Sequence, residues 1–166
     1  MTGVSQAPAV CDGICDDRLC GRMKQELRFF SFMEDEDLDQ VGHYFECRQV
    51  SAGEKLWQEG EPGNFIAFIV SGRIELRKET EFKGRNVVVG VYSQGSITGE
   101  LSILDQSPRT ESAVALDQSD LILLTHNHFK RMMSEHPTLG NKLLRGMLLT
   151  VSQRLKKSYD RLASIF

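Results

Sequence analysis

Twelve consecutive residues carry most of the chemistry legible in this chain: Gly99-Glu100-Leu101-Ser102-Ile103-Leu104-Asp105-Gln106-Ser107-Pro108-Arg109-Thr110. A glycine and an acid open the segment. A short apolar stretch long enough for one or two helical turns follows, and Pro-Arg then leads into a strand. The acid and the arginine stand nine positions apart. Backbone N–H groups at the start of a helical turn point at an anion. An arginine offers a planar, permanently charged fork to phosphate oxygens. A carboxylate accepts hydrogen bonds from sugar hydroxyls. Together the three suit a ligand that carries both a phosphate and a ribose.

The segment resembles the phosphate-binding cassette of the cyclic nucleotide-binding domain, whose pattern runs roughly F-G-E-L-A-x-x-x-x-x-P-R-A-A-T. Here the residues are Thr98-Gly99-Glu100-Leu101-Ser102 and Ser107-Pro108-Arg109-Thr110-Glu111-Ser112. The Glu-to-Arg spacing is similar to that of the kinase-regulatory and channel branch. Glu61-Pro62-Gly63, followed by Phe65 to Gly72, resembles the family's strand-and-turn signature, and the likeness runs from about Leu27 to Phe166. The resemblance implies that Arg109 pairs with the exocyclic oxygens of a cyclic phosphate and that Glu100 accepts from the ribose 2′-hydroxyl. Gly99, Leu101 and Ser102 would act through their backbone, Gly99 at positive φ, with the Leu101 side chain in the core. Thr110 would add a hydroxyl and an N–H. A threonine there is similar to cGMP-preferring members, although cAMP is the ligand expected first. Val87 and Val89 would face the base, with ordinary barrel core as the alternative. Thr150, Arg154 and Ser158 share a helix face and are loosely similar to residues that cap the base. Read in isolation, Arg109 could instead close a turn onto Glu100 or a carbonyl. Glu111 departs from the pattern, which has a small residue there. A carboxylate beside a phosphate repels it, and strand alternation predicts that Glu111 turns away from Thr110.

These residues need a frame. Short apolar runs alternate with turn signals: Cys47–Ser51, Lys55–Gln58, Phe65–Val70, Arg73–Lys78, Val87–Tyr92, Ser112–Leu116 and Leu121–Thr125. That spacing predicts a mainly β fold with flanking α-helices, an eight-stranded β-roll or jelly roll with the cassette between its sixth and seventh strands. Arg22 to Phe30 reads as a short helix, as does Asp35 to Tyr44, with acids in its first turn. After Thr125 the strand signals stop. His128 to His136 reads as a helix ended by Pro137, capped by His126 or Asn127. A longer helix then runs from Thr138 to the C-terminus. Its stripe of Leu144, Met147/Leu148, Val151, Leu155, Ser158 or Tyr159, Leu162 and Ile165/Phe166 outruns a small barrel, which predicts pairing with a second copy. A single helix folded onto its own barrel is the alternative. The expected organisation is a flexible tail over 1–21, the roll with its flanking helices over 22–136, and a capping or dimerising helix over 137–166.

Composition sets further bounds. A 166-residue chain with 40% hydrophobic residues can build one real core. A net charge of −3 argues against non-specific nucleic-acid binding. From His126 onward, however, eight Lys or Arg face only Glu135 and Asp160, which suits a solvated helix face or an acidic partner. No apolar stretch reaches membrane-spanning length, and the first residues lack a signal-peptide core, so a cytoplasmic location is expected. The catabolite-activator branch carries a DNA-reading domain after this point; the resemblance here implies a sensor that acts through a partner protein or a changed dimer, with no direct DNA or membrane contact.

Cys11, Cys15 and Cys20, with Cys47 as a fourth, present the main rival reading: an iron–sulfur or redox sensor of the same superfamily. The spacing departs from that branch and from common metal-site pairs, and reduced thiols in a tail are the plainer expectation. His126-Asn127-His128 echoes a metal-binding His-x-His but lacks a nearby downstream acid. No nucleophile–base arrangement stands out, so no enzyme is expected. A ligand-free dimerising scaffold is the third reading, and Glu111 is the residue that favours it.

Overall fold

The computed structural model describes residues 27, 30, 33–82 and 84–164. The expected tail, the helix over Arg22 to Phe30 apart from two residues, and Cys11, Cys15 and Cys20 lie outside the described residues. Helix α1 (Asp35–Val41) passes into a 3-10 turn, Gly42–Tyr44. Eight strands follow: β1 (Phe45–Val50), β2 (Lys55–Trp57), β3 (Phe65–Ser71), β4 (Arg73–Glu79), β5 (Asn86–Ser93), β6 (Ile97–Thr98), β7 (Ser112–Ala115) and β8 (Ser119–Thr125). Helix α2 (Glu100–Asp105) interrupts them between β6 and β7, where the cassette was expected. Helices α3 (His126–Glu135) and α4 (Pro137–Ala163) complete the chain.

The strands form two antiparallel four-stranded sheets, ordered β1-β8-β3-β6 and β2-β7-β4-β5. This is the expected eight-stranded roll. The first sheet is buried on both faces, and strand alternation divides its side chains between two cores. Ala67 and Ile69 of β3, with Leu121 and Leu123 of β8, turn inward against Val50, Trp57, Ile74 and Leu76. Ile66, Phe68 and Val70, with Ile122 and Leu124, turn outward against the helices, where they meet Leu38, Val41, Met132, Leu139, Leu143 and Met147. A strand covered on both sides must be apolar throughout, which is why β3 and β8 read as continuous runs and not as alternating patterns. Phe68 lies at the centre of the outer core, 5.5 Å from the ring of Phe30 and 5.4 Å from that of Phe45.

The helices are tied to one another by polar contacts at the rim. Asp35, Glu36 and Asp37 occupy the first turn of α1, where the helix dipole favours acids. Asp37 accepts from the Glu34 backbone N–H at 2.8 Å and from Lys142 of α4. Tyr44 donates to Glu135 at 2.6 Å. The cap of α3 is Thr125, whose hydroxyl accepts from His128 N at 3.2 Å. His126 and Asn127 are already inside the helix, so the expected cap was placed one or two residues late; the last strand residue supplies it. Gly140 lets α3 and α4 approach closely, since a Cβ there would sit 2.3 Å from Met133 Sδ.

Phe68→Ala removes an aromatic ring at which the first sheet, α1 and the helical layer meet. It is expected to lower unfolding free energy by about 3–5 kcal/mol, measured by urea denaturation.

Candidate functional site

Arg109 is locked by its backbone before its side chain does anything. Its N–H donates to Glu61 O and its carbonyl accepts from Gly60 N, both at 2.8 Å, and Pro108 bridges to Pro62. The Gly60–Gly63 turn therefore sets where the side chain points. The residue is 3% exposed. It lies 4.0 Å over the Trp57 ring and 4.7 Å over that of Phe65, the attraction of a cation for an aromatic face. Nη2 donates to Phe65 O at 2.8 Å and Nη1 to Gly99 O at 3.3 Å. Nε is buried with no hydrogen-bond partner, and among the described residues no carboxylate forms an ion pair with this side chain. Burial pulls its pKa down to about 10, with Glu111, Glu61 and Glu100 partly offsetting the loss of hydration. A cavity of about 330 Å³, lined by Leu56, Trp57, Glu61, Asn64 and Phe65, opens onto it.

Gly99 stands at φ +80°, immediately before α2. A Cβ there would meet Arg109 Nη1 at 2.3 Å and Phe65 O at 3.2 Å. The position thus requires glycine twice over, for backbone conformation and for the approach of the guanidinium. Glu100 follows at the first position of α2. Its carboxylate pairs with Arg154 of α4 at 3.0 Å. Arg154 also donates through Nη2 to Ile97 O and lies 4.3 Å over the Tyr92 ring. Of the three residues expected as a cap, Arg154 reaches the roll. Thr150 donates to Gly146 O and Ser158 to Arg154 O, both within the helix.

Ser102 is buried against Gly63, where a Cβ would overlap it. Leu101 is half exposed, contrary to its expected core packing, and Ile103 enters the core in its place. The register of a six-residue helix decides this: Ser102 and Ile103 are its buried residues. Val87 and Val89 are about half exposed on β5, an edge strand, so they are not barrel core. The ladder pairs Leu76 with Gly90 and Arg77 with Val88, which leaves Val89 as an extra, bulged residue.

Thr110 and Glu111 depart from expectation. The Thr110 hydroxyl donates to the Glu111 carboxylate, so the acid folds toward the threonine and not away from it. Strand alternation fails here because β7 begins only at Ser112. Thr110 O accepts from Lys78 Nζ, which is also paired with Glu59. The Trp57 indole donates to Glu111 O at 2.9 Å. Trp57 is the residue that sequence reasoning missed: it packs under Arg109 and anchors the segment after it. A lone tryptophan before a Gly-rich turn was the signal available.

Cys47 is half buried in β1, packed on the outer core. No cluster of three or more metal-ligating side chains occurs among the described residues. An open groove of about 660 Å³ beside the start of α3 includes Glu46, His126 and His128. There His128 Nδ1 lies 3.7 Å from Glu46.

The architecture is a β-roll with a helical insertion between β6 and β7, a buried arginine after it and a long helix returning to its acid. The chain belongs to the cyclic nucleotide-binding domain family, whose model matches residues 47–136. A crystal structure of a cyclic nucleotide-binding domain from Methylobacillus flagellatus superposes with a TM-score of 0.84 at 25% identity, covering 100% of this chain and 93% of that one. The CRP-like cAMP-activated global transcriptional regulator of Mycobacterium tuberculosis is 26% identical over 113 residues, covering 68% of this chain and 48% of the regulator. This chain therefore spans about half the length of that relative. The catabolite activator protein of Thermus thermophilus shares the fold, with a TM-score of 0.68 at 23% identity over 82% of this chain and 62% of that one. No helix among the described residues is long and apolar enough to cross a membrane.

Gly99→Ala forces a positive φ on an alanine and drives its Cβ into Arg109. A loss of about 1–2 kcal/mol is expected from the backbone alone, read as a fall in the thermal midpoint.

Proposed function

We propose that this chain is a cyclic nucleotide receptor module that binds cAMP ahead of cGMP and carries out no chemistry on it. The observation that carries this reading is the state of Arg109: a permanently charged side chain, almost wholly buried, with an orphaned Nε and no carboxylate partner among the described residues. A buried charge without a counter-charge is costly. A monoanionic phosphate supplies that counter-charge and restores the depressed pKa. Gly99, Leu101 and Ser102 would frame the phosphate through their backbone. Glu100 would hold the sugar, and Val87 and Val89, exposed on β5, would cover the base. The Thr110 hydroxyl proton is committed to Glu111, while its lone pairs stay open to a donor such as a guanine amino group.

Signalling would run through α4. From Leu148 to Ser164 all residues but Thr150 and Arg154 are exposed. Arg154 is the one side chain of that half with a hydrogen bond to the roll among the described residues. A sugar on Glu100 and the position of this helix are therefore linked, and linkage is reciprocal. Ligand would shift the population between α4 positions. The exposed Leu148, Val151, Leu155, Tyr159 and Leu162 would pair with a second copy or pass the change to an effector protein. We take residues 22–136 as the binding roll and 137–166 as the responding helix. The scaffold reading draws on Glu111, which already satisfies Thr110 and opposes an anion.

Calorimetric titration of the reduced chain with cAMP and with cGMP tests the reading. Saturable binding is expected, tighter for cAMP, and Arg109→Ala is expected to abolish it at a cost of about 2–5 kcal/mol while circular dichroism stays unchanged. Absence of heat with both nucleotides in folded, ligand-free protein would return the chain to the scaffold class. Arg154→Ala is expected to speed amide exchange across residues 148–163, because the anchor of that half is lost. Unchanged exchange there would mean that packing, not this side chain, holds the helix.

A further inference from the structure

We propose that Glu111 makes the site a charge filter, accepting a monoanionic cyclic phosphodiester and rejecting the dianionic phosphomonoester of the same nucleoside. The inference rests on the receptor reading above and names a discrimination which that reading does not contain.

Three observations place the Glu111 charge at the phosphate end of the site. First, its carboxylate receives the Thr110 hydroxyl, the donor nearest in sequence to Arg109. Acid and donor thus face the same space. Second, its backbone is pinned: the Trp57 indole donates to its carbonyl at 2.9 Å, and that same indole lies 4.0 Å beneath the Arg109 guanidinium. The segment cannot swing away without disturbing the platform of the arginine. Third, the carboxylate has no ion-pair partner among the described residues. Lys78, the cation next to it in the fold, is occupied by Glu59 and by the Thr110 carbonyl. The residue is half buried, so water screens its charge incompletely. Consistent with this placement, Glu111 is the carboxylate that acts most strongly on Arg109, ahead of Glu61 and Glu100.

The consequence follows from how two energies scale with ligand charge. Coulomb attraction to Arg109 doubles from a monoanion to a dianion. Alone, the arginine would therefore favour a terminal phosphate, which carries about −1.5 to −2 at neutral pH. Repulsion by Glu111 doubles as well and cancels part of that gain. Desolvation is then less fully opposed, and it grows roughly as the square of the charge. A cyclic monoanion bears that cost once. A dianion bears about four times as much, with an attraction that Glu111 has weakened.

The test is displacement of a fluorescent cAMP analogue by cAMP and by 5′-AMP at pH 7.5 and constant salt, using the full chain as wild type, Glu111→Gln and Glu111→Ala. The glutamine keeps an acceptor for Thr110 and removes only the charge. The expected result is about five-fold tighter binding of cAMP and about twenty-five-fold tighter binding of 5′-AMP, the square of the first factor, so that selectivity falls about five-fold. The alanine variant should move the ratio by the same amount. Equal factors for the two ligands, unchanged affinities, or no competition by 5′-AMP in any of the three proteins would each overturn the filter, leaving shape as the basis of selection. If folded wild type and Glu111→Gln both fail to bind the analogue, the receptor reading itself falls, and the filter with it.

Discussion

A charged guanidinium held between two aromatic rings and two backbone carbonyls is the constraint around which this roll is arranged. Arg109 cannot reach water, and among the described residues it has no carboxylate of its own. The fold tolerates it because Trp57 and Phe65 offer π faces and because Phe65 O and Gly99 O accept from its nitrogens. Each of those groups imposes a demand in turn. Gly99 must remain a glycine at positive φ. The Gly60-Glu61 turn must hold the arginine's backbone at both N–H and carbonyl. β2 must place Trp57 under the ring of charge. The partners come from distant points of the chain, and only the closed roll brings them within a few ångströms.

The double-faced first sheet makes that closure rigid. Inward residues of β3 and β8 fill the roll, and outward residues of the same strands bind the helices. Phe65, at the start of β3, belongs to the inner core through its side chain and to Arg109 through its carbonyl. Packing of the helical layer and geometry of the arginine are thus carried by one strand. A protein interior is close-packed and responds to displacement in steps, not smoothly. In the proposed receptor, a strand shared between two cores would be a route by which movement of the helices reaches the site.

The long-range plan was legible because it is written in residue type. Seven strand segments could be read from apolar runs between turn residues, and the cassette from Gly-Glu and Pro-Arg at fixed spacing. β6 was not legible as a run, since two residues, Ile97 and Thr98, show no period. The placement of Leu101 outside and Ile103 inside was equally hidden, because in a six-residue helix a shift of one position reverses which side chain is buried. Glu111 was misread for a related reason. Alternation applies within a strand, and the strand starts one residue later. Arg154 could be placed on a helix face from spacing, but its pairing with Glu100 depends on how α4 returns over the roll, and a helix period carries no such information. The fold and the family of the site were in the sequence; the partners of its charged groups were settled by tertiary geometry.

Those partners give the proposed site a particular character. Glu100 is occupied by Arg154 and the Thr110 hydroxyl by Glu111, and Arg109 has no carboxylate ion pair among the described residues. Two of the three polar groups are therefore already satisfied by the protein, and one is held in deficit. A ligand of the proposed kind would gain most at Arg109 and would have to compete at the other two. Affinity in such a site is set less by the number of contacts offered than by the difference between new contacts and those surrendered. In the proposed receptor, binding and movement of α4 would be aspects of one exchange, since Arg154, the side chain that ties the second half of the helix to the roll, is paired with Glu100.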